Sequence, residues 1–271
     1  MPPFLFLRGD TTKMSGQLDI STDPHADMDV ANDGEQLTIF DRLVVFVSSV
    51  TGWLFPVLMI AITTQVVMRK LGHNQAWLDD AQWWIYGFAM TVGFSYAITT
   101  QSHVRVDILH QNFSPTKKAK IEVFGLGWLL MPFLIIMADV LFHYGWASWI
   151  AGEGSSSANG LHKLYLLKLS LPALFVLAIL ASMSMMRRHL MVFASGRLWT
   201  SLIGMFPAAW FLAERASYYV LWWVIRLTNS EIEVRRISDE PIIAHTIWYG
   251  LIIVLVAITV SYGLSRRASK G

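Results

Sequence analysis

The chain reads as an all-α membrane protein: a four-helix transmembrane bundle with an interfacial arm helix and a C-terminal extension of one or two further spans. Three observations predict this. The 271 residues are 54% hydrophobic and only 15% charged, with a mean hydropathy of +0.46, and a water-soluble domain of that composition would leave a large apolar area uncovered. Apolar stretches of about 20 residues or more, the length a bilayer requires, recur between short polar connections. Basic residues collect in alternate connections, as the positive-inside rule demands.

The same composition excludes whole classes of function. A formal net charge of +2, with the basic residues scattered between spans, leaves no electrostatic footprint for nucleic acid, and no nucleic-acid partner is expected. With no cysteine there is no disulfide, no thiolate metal site and no cysteine nucleophile. Neither a phosphate-cradling G-x-x-x-x-G-K-[ST] loop nor a His, Asp and Ser grouping with catalytic context occurs, so the chain is expected not to be an enzyme.

Residues 1–36 are polar and acidic, with Asp19, Asp23, Asp27, Asp29 and Asp33 and no sustained period, and read as a disordered polar leader. Residues 1–7 are apolar but lack a basic n-region and a small-residue cleavage site, so they do not read as a cleaved signal peptide. Leu37, Phe40, Val44 and Val47 then recur at helical spacing while Glu35, Asp41 and Arg42 are polar, the pattern of an amphipathic arm along the interface. Residues 43–68 form the first span, and Pro56 within it is tolerated where neighbours satisfy the freed carbonyl. The second span, 82–100, opens among Trp77, Trp83, Trp84 and Tyr86, an aromatic belt. The third, 123–150, and the fourth, 164–186, flank a glycine- and serine-rich turn at 151–160. Such short connections favour antiparallel neighbours in a bundle.

Orientation follows from charge. Arg105, Lys117, Lys118, Lys120, Arg187, Arg188 and Arg197 lie in one set of connections, against Arg69, Lys70 and Lys163 in the other. The amino terminus and the end of the fourth span are therefore expected in the cytoplasm, and Asp79, Asp80 and Glu153 outside. Beyond residue 197 the reading divides. Residues 242–264 form a further span, but 199–225 are interrupted by Glu214 and Arg215, which would cost several kcal/mol in hydrocarbon unless buried against protein. If that stretch crosses, Arg266, Arg267 and Lys270 return to the cytoplasm and Arg226, Arg235 and Arg236 stay outside; if it lies flat, the two groups exchange sides. The charge rule is nearly tied, and the length of the stretch favours six spans over five.

Trp77-Leu-Asp-Asp80 before the second span, His103-Val-Arg-Val-Asp107 after it, Glu153 to Gly160 followed by Leu161, and Lys168 with Pro172 entering the fourth span occur in that order. Over residues 37–190 this set resembles the small membrane subunit, DctQ-like, of the tripartite ATP-independent periplasmic (TRAP) transporters. The resemblance implies a scaffold or stator in the bacterial inner membrane, held against a large TRAP membrane subunit that carries the substrate and sodium sites. It implies transient contact with a periplasmic solute-binding protein that delivers a small organic acid, and no cofactor in this chain. Two departures stand out. The acidic pair is Asp79-Asp80 where glutamate is frequent, and residues 191–271 extend past the usual ending.

Several residues carry two readings. Arg105 and Asp107 are either a solvated loop obeying the charge rule or a pin holding that loop, with His103, to span ends or to the large subunit. Lys117, Lys118 and Lys120 read as lipid-headgroup contacts. Asp139 and His143, one turn apart, share a face of the third span; they are either a proton- or cation-handling pair or, lying near Trp146 and Trp149, an interfacial or subunit contact. Glu153 and Lys168 read as structural or interface positions. The tail tryptophans Trp199, Trp210, Trp222, Trp223 and Trp248 read as belts more readily than as a binding cage. The rival class is a haem-anchoring subunit of a respiratory oxidoreductase, for which His143 and His245 would have to face each other across the bundle.

Overall fold

The computed structural model describes residues 38–102, 113–229 and 232–268, and every regular element in them is helical. The leader at 1–36 and the hinge residues His103, Arg105 and Asp107 lie outside the described residues. Helix α1, Ile39–Gly52, opens with a capping box: Thr38 Oγ accepts from the Asp41 amide, and Asp41 Oδ2 accepts from the Thr38 amide at 3.0 Å. It stops at Gly52 because Pro56 has no N–H to return to that carbonyl, and α2, Leu54–Lys70, carries the same apolar stretch onward. The amphipathic approach thus runs unbroken into the first span, with Arg42 exposed and Asp41 turned inward. After a turn through Gly72, at φ +85°, α3 spans Ala76–Thr100 and ends at Gln101 in the left-handed region.

Ser114 caps α4, Pro115–Phe124, which continues through a π turn, Gly125–Leu130, into α5, Met131–Ile150. Pro132 accounts for the π turn, since it cannot bond the Trp128 carbonyl and its ring crowds that turn of the ladder. Helix α6, Tyr165–Met191, contains Pro172. The tail forms α7 (Leu198–Gly204), α8 (Phe206–Thr228), a 3-10 turn (Val234–Asp239), α9 (Pro241–Ala244) and α10 (Thr246–Ala268). Pro207 explains the break at Met205 in the same way as Pro56 explains the break at Gly52.

Helix α6 is the centre of the body. It packs most extensively against α5, then α3, and also against α1, around Val44, Val92, Ile98, Leu134, Leu177, Ala178 and Ala181. Side-chain pairs set the depth of each helix. Helices α5 and α6 are antiparallel: a Cβ on Gly145 would stand 2.9 Å from the Lys168 carbonyl, and one on Gly127 would stand 3.1 Å from Met186 Sδ. The Lys168 carbonyl is the one that Pro172 leaves without an in-helix donor, and Gly145 lets the α5 backbone reach it. Helix α8 runs parallel to α5, with Trp128 and Phe206 rings 6.3 Å apart at one level and Tyr219 bonded to Asp139 and His143 farther along. Helix α10 runs back, since Trp210 Nε1 donates to the Ile247 carbonyl at 2.9 Å and Trp199 meets Tyr262 at 5.5 Å.

Among the described residues four stretches are long and apolar enough to cross a membrane: Ile39–Lys70, Pro115–Ile150, Tyr165–Met191 and Thr246–Ala268. Helices α3 and α8 are less apolar, yet α3 lies along α6 and α8 follows α5 lengthwise. Residues 199–225 therefore do not lie flat across an end of the body, and the α10 carboxyl end returns to the end that holds α4 and the close of α6. A reporter fused after Lys270 is expected to be active on the cytoplasmic side, and one inserted between Thr228 and Arg235 on the opposite side. A terminal reporter on the non-cytoplasmic side would mean that α8 does not cross.

Candidate functional site

Three polar clusters tie the helices together. At the end that holds the α5–α6 connection, Lys168 Nζ meets Glu153 Oε2 at 2.6 Å, and Ser148 Oγ donates to the same oxygen at 2.6 Å. The Lys168 side chain is only 12% exposed and its ammonium stands 4.2 Å from the centre of the Tyr144 ring, so a cation entering from the α6 terminus has both an anion and an aromatic face. The Lys168 hydrogen bond, followed by that from Ser148, holds the Glu153 carboxyl below the usual carboxylate range, so it is ionised at neutral pH.

The same end fixes the start of α3. Asp80 Oδ2 accepts from the Leu161 amide at 3.0 Å, and Ser155 N donates to the Leu161 carbonyl at 2.9 Å, which folds the 151–164 connection onto Asp80. Gly160 is required there, because a Cβ would stand 2.6 Å from Asp80 Oδ2. Asp79 pairs with Arg69 at 3.2 Å across the α2–α3 turn, an exposed contact worth little in itself. Asp79, Asp80, Glu153 and Lys168, named from sequence, thus all lie at one end of the body.

At the opposite end a second cluster escaped the sequence reading. Asp41 is fully buried. Its Oδ2 accepts from Ser184 Oγ at 2.8 Å and Thr38 Oγ at 2.6 Å, while Arg188 Nη2 stands 3.8 Å from Oδ1. Arg188 also donates to the Thr99 carbonyl at 3.0 Å, taking up one of the last acceptors of α3, and Gln101 bonds His189 at 2.7 Å. Three helix ends, from α1, α3 and α6, are therefore joined where the chain enters the hinge that carries His103, Arg105 and Asp107. The signal was present: Ser184 and Arg188 are one turn apart on α6, and a Thr-x-x-Asp box opens α1. What the sequence lacked was the pairing of the two across more than a hundred residues.

The third cluster contains Asp139 and His143. Their direct separation is 4.0 Å, and Tyr219 of α8 stands between them, donating to Asp139 Oδ1 at 2.5 Å and bonded to His143 Nε2 at 2.7 Å. Arg215 Nη1 stands 3.9 Å from Asp139 Oδ2. His143 is thus engaged through Nε2 with a phenol. Among the described residues no group of three or more His, Cys, Asp or Glu side chains is placed to hold a metal ion.

Residues 58–192 match the family described as the DctQ component of tripartite ATP-independent periplasmic transporters. The chain belongs to the DctQ family. It is a small membrane subunit of a TRAP transporter and a multi-pass membrane protein. Among curated proteins and among solved structures nothing matches. The DctQ match takes in Asp79, Asp80, Glu153, Lys168, Asp139 and Arg188, but begins after Asp41 and ends before α7.

In this DctQ subunit Asp41 is fully buried and the Arg188 side chain beside it is only 12% exposed, so removing one partner strands the other. Asp41→Leu or Arg188→Met alone is expected to lower stability in detergent by about 3 kcal/mol. The double variant should lose clearly less than the sum of the two, read by thermal or SDS unfolding. Strictly additive losses would show that the two residues act independently.

Proposed function

We propose that this DctQ subunit is the fixed scaffold of a sodium-driven, binding-protein-dependent TRAP transporter that imports a small organic acid across a bacterial inner membrane. The observation that carries the reading is the DctQ match over residues 58–192, and the two locked ends of the body supply its physics. A stator resists the displacement of its partner only if its own helices keep their relative depth. Lys168–Glu153 and Asp80–Leu161 hold one end, and Asp41–Ser184–Arg188 with Thr99 holds the other. The Asp41 contact has no access to water, so a shift between α1 and α6 separates it with no water to replace the lost partner.

In this reading the substrate and sodium sites belong to the large membrane subunit, which packs against the apolar faces that the bundle leaves exposed, with lipid over the remainder. The binding protein touches the outward end only while it delivers its cargo. The chain itself catalyses no reaction and carries no cofactor. Proteoliposomes holding the large subunit, with binding protein and solute outside and an inward sodium gradient, are expected to take up solute only when this chain is co-reconstituted. Full sodium-dependent uptake without it would overturn the proposal.

A further inference from the structure

Helix α8 brings a glutamate and an arginine into the body in consecutive positions, and each is answered from a different side. Arg215 forms a two-pronged contact with its neighbour, Nε to Glu214 Oε2 at 2.6 Å and Nη2 to Glu214 Oε1 at 2.7 Å. Its remaining nitrogen faces Asp139 of α5 at 3.9 Å, and its guanidinium lies 4.8 Å from the Tyr218 ring centre and 5.6 Å from that of Phe211. Glu214 Oε1 accepts from Thr246 Oγ of α10 at 2.9 Å. The backbones of α8 and α10 touch there, since a Cβ on Gly250 would stand 2.6 Å from the Glu214 amide nitrogen. One turn on from Arg215, Tyr219 completes the contact by donating to Asp139 Oδ1.

We propose that Asp139, with His143, is a docking site on the family core whose occupant is the Glu214–Arg215–Tyr219 segment of this same chain. The two sides of the contact differ in origin. Asp139 and His143 fall within the matched residues 58–192, whereas Glu214, Arg215, Tyr219, Thr246 and Gly250 all fall beyond them. The extension is thus a helix pair locked onto a DctQ core by a polar contact, and α8 crosses the bilayer because α5 and α10 supply partners for charges that lipid would reject. The Asp139 carboxylate is consequently engaged from within the chain, while the His143 side chain stays 55% exposed. Arg215 is the keystone: without it, Asp139 and Glu214 remain as two carboxylates facing a low-dielectric interior with no cation between them. This inference does not depend on the transporter reading.

The chain has no cysteine, so Trp128→Cys with Phe206→Cys, replacing rings 6.3 Å apart, gives a unique cross-linkable pair between the π turn that leads into α5 and the start of α8 in the full-length protein. In membranes a short bismaleimide should link the pair efficiently. Adding Arg215→Met is expected to reduce the linked fraction about tenfold. Adding Asp139→Asn, Glu214→Gln and Arg215→Met together removes all three charges at nearly constant volume and should restore it. Linkage unaffected by Arg215→Met would overturn the proposal, and so would a triple variant that links no better than Arg215→Met alone.

Discussion

A charge within a bilayer persists only where another group in the same low-dielectric layer answers it, and this protein is organised by that constraint. Asp41 has no access to water and depends on Ser184, Thr38 and Arg188. Lys168 depends on Glu153 and the Tyr144 ring, and Glu214 depends on Arg215 and Thr246. In each case at least one answering group lies beyond the helix that bears the charge. Apolar packing alone discriminates poorly between one helix register and another in lipid, where the tails are as apolar as leucine; these polar contacts fix the depth of α1, α3, α5, α6, α8 and α10.

The backbone obeys a related rule. Pro56, Pro132, Pro172 and Pro207 each leave a carbonyl without its in-helix donor, and water cannot replace it inside the bilayer. The chain responds by breaking the helix at Gly52 and Met205, by widening it into the Gly125–Leu130 π turn, and by bringing Gly145 against the Lys168 carbonyl. The π turn also places Gly127 against the Gly204 carbonyl, where any Cβ would collide. The break at Met205 thus follows a close backbone crossing, and the extension begins its run along α5 from that point.

Much of this was legible in the residues. The apolar stretches at 82–100 and 123–150 fall inside helices, and that at 164–186 begins one residue before its own. Asp79, Asp80, Glu153 and Lys168 gather at one end as their order around the spans suggests. Asp41 was not legible as a buried residue, because helical periodicity places a polar residue at a span entrance on the wet side unless its partner is known. Arg188 was counted among the charges that orient the protein, and a count does not register that its side chain, only 12% exposed, turns inward onto Asp41. The tail shows the same limit. Loop charges weigh Arg266, Arg267 and Lys270 against Arg226, Arg235 and Arg236 and nearly balance, whereas the contact that holds α8 beside α5 is made inside the body by Asp139, a residue the charge rule ignores.

These contacts make the helices one rigid body, core and extension together. Spin labels at Trp83→Cys on α3 and Trp248→Cys on α10, both exposed positions in a chain free of other cysteines, allow double electron–electron resonance to measure the distance between them. One narrow distance distribution is expected, unchanged when the large subunit, binding protein, sodium and solute are added. A broad or two-peaked distribution, or one that shifts as solute and sodium are supplied, would contradict it.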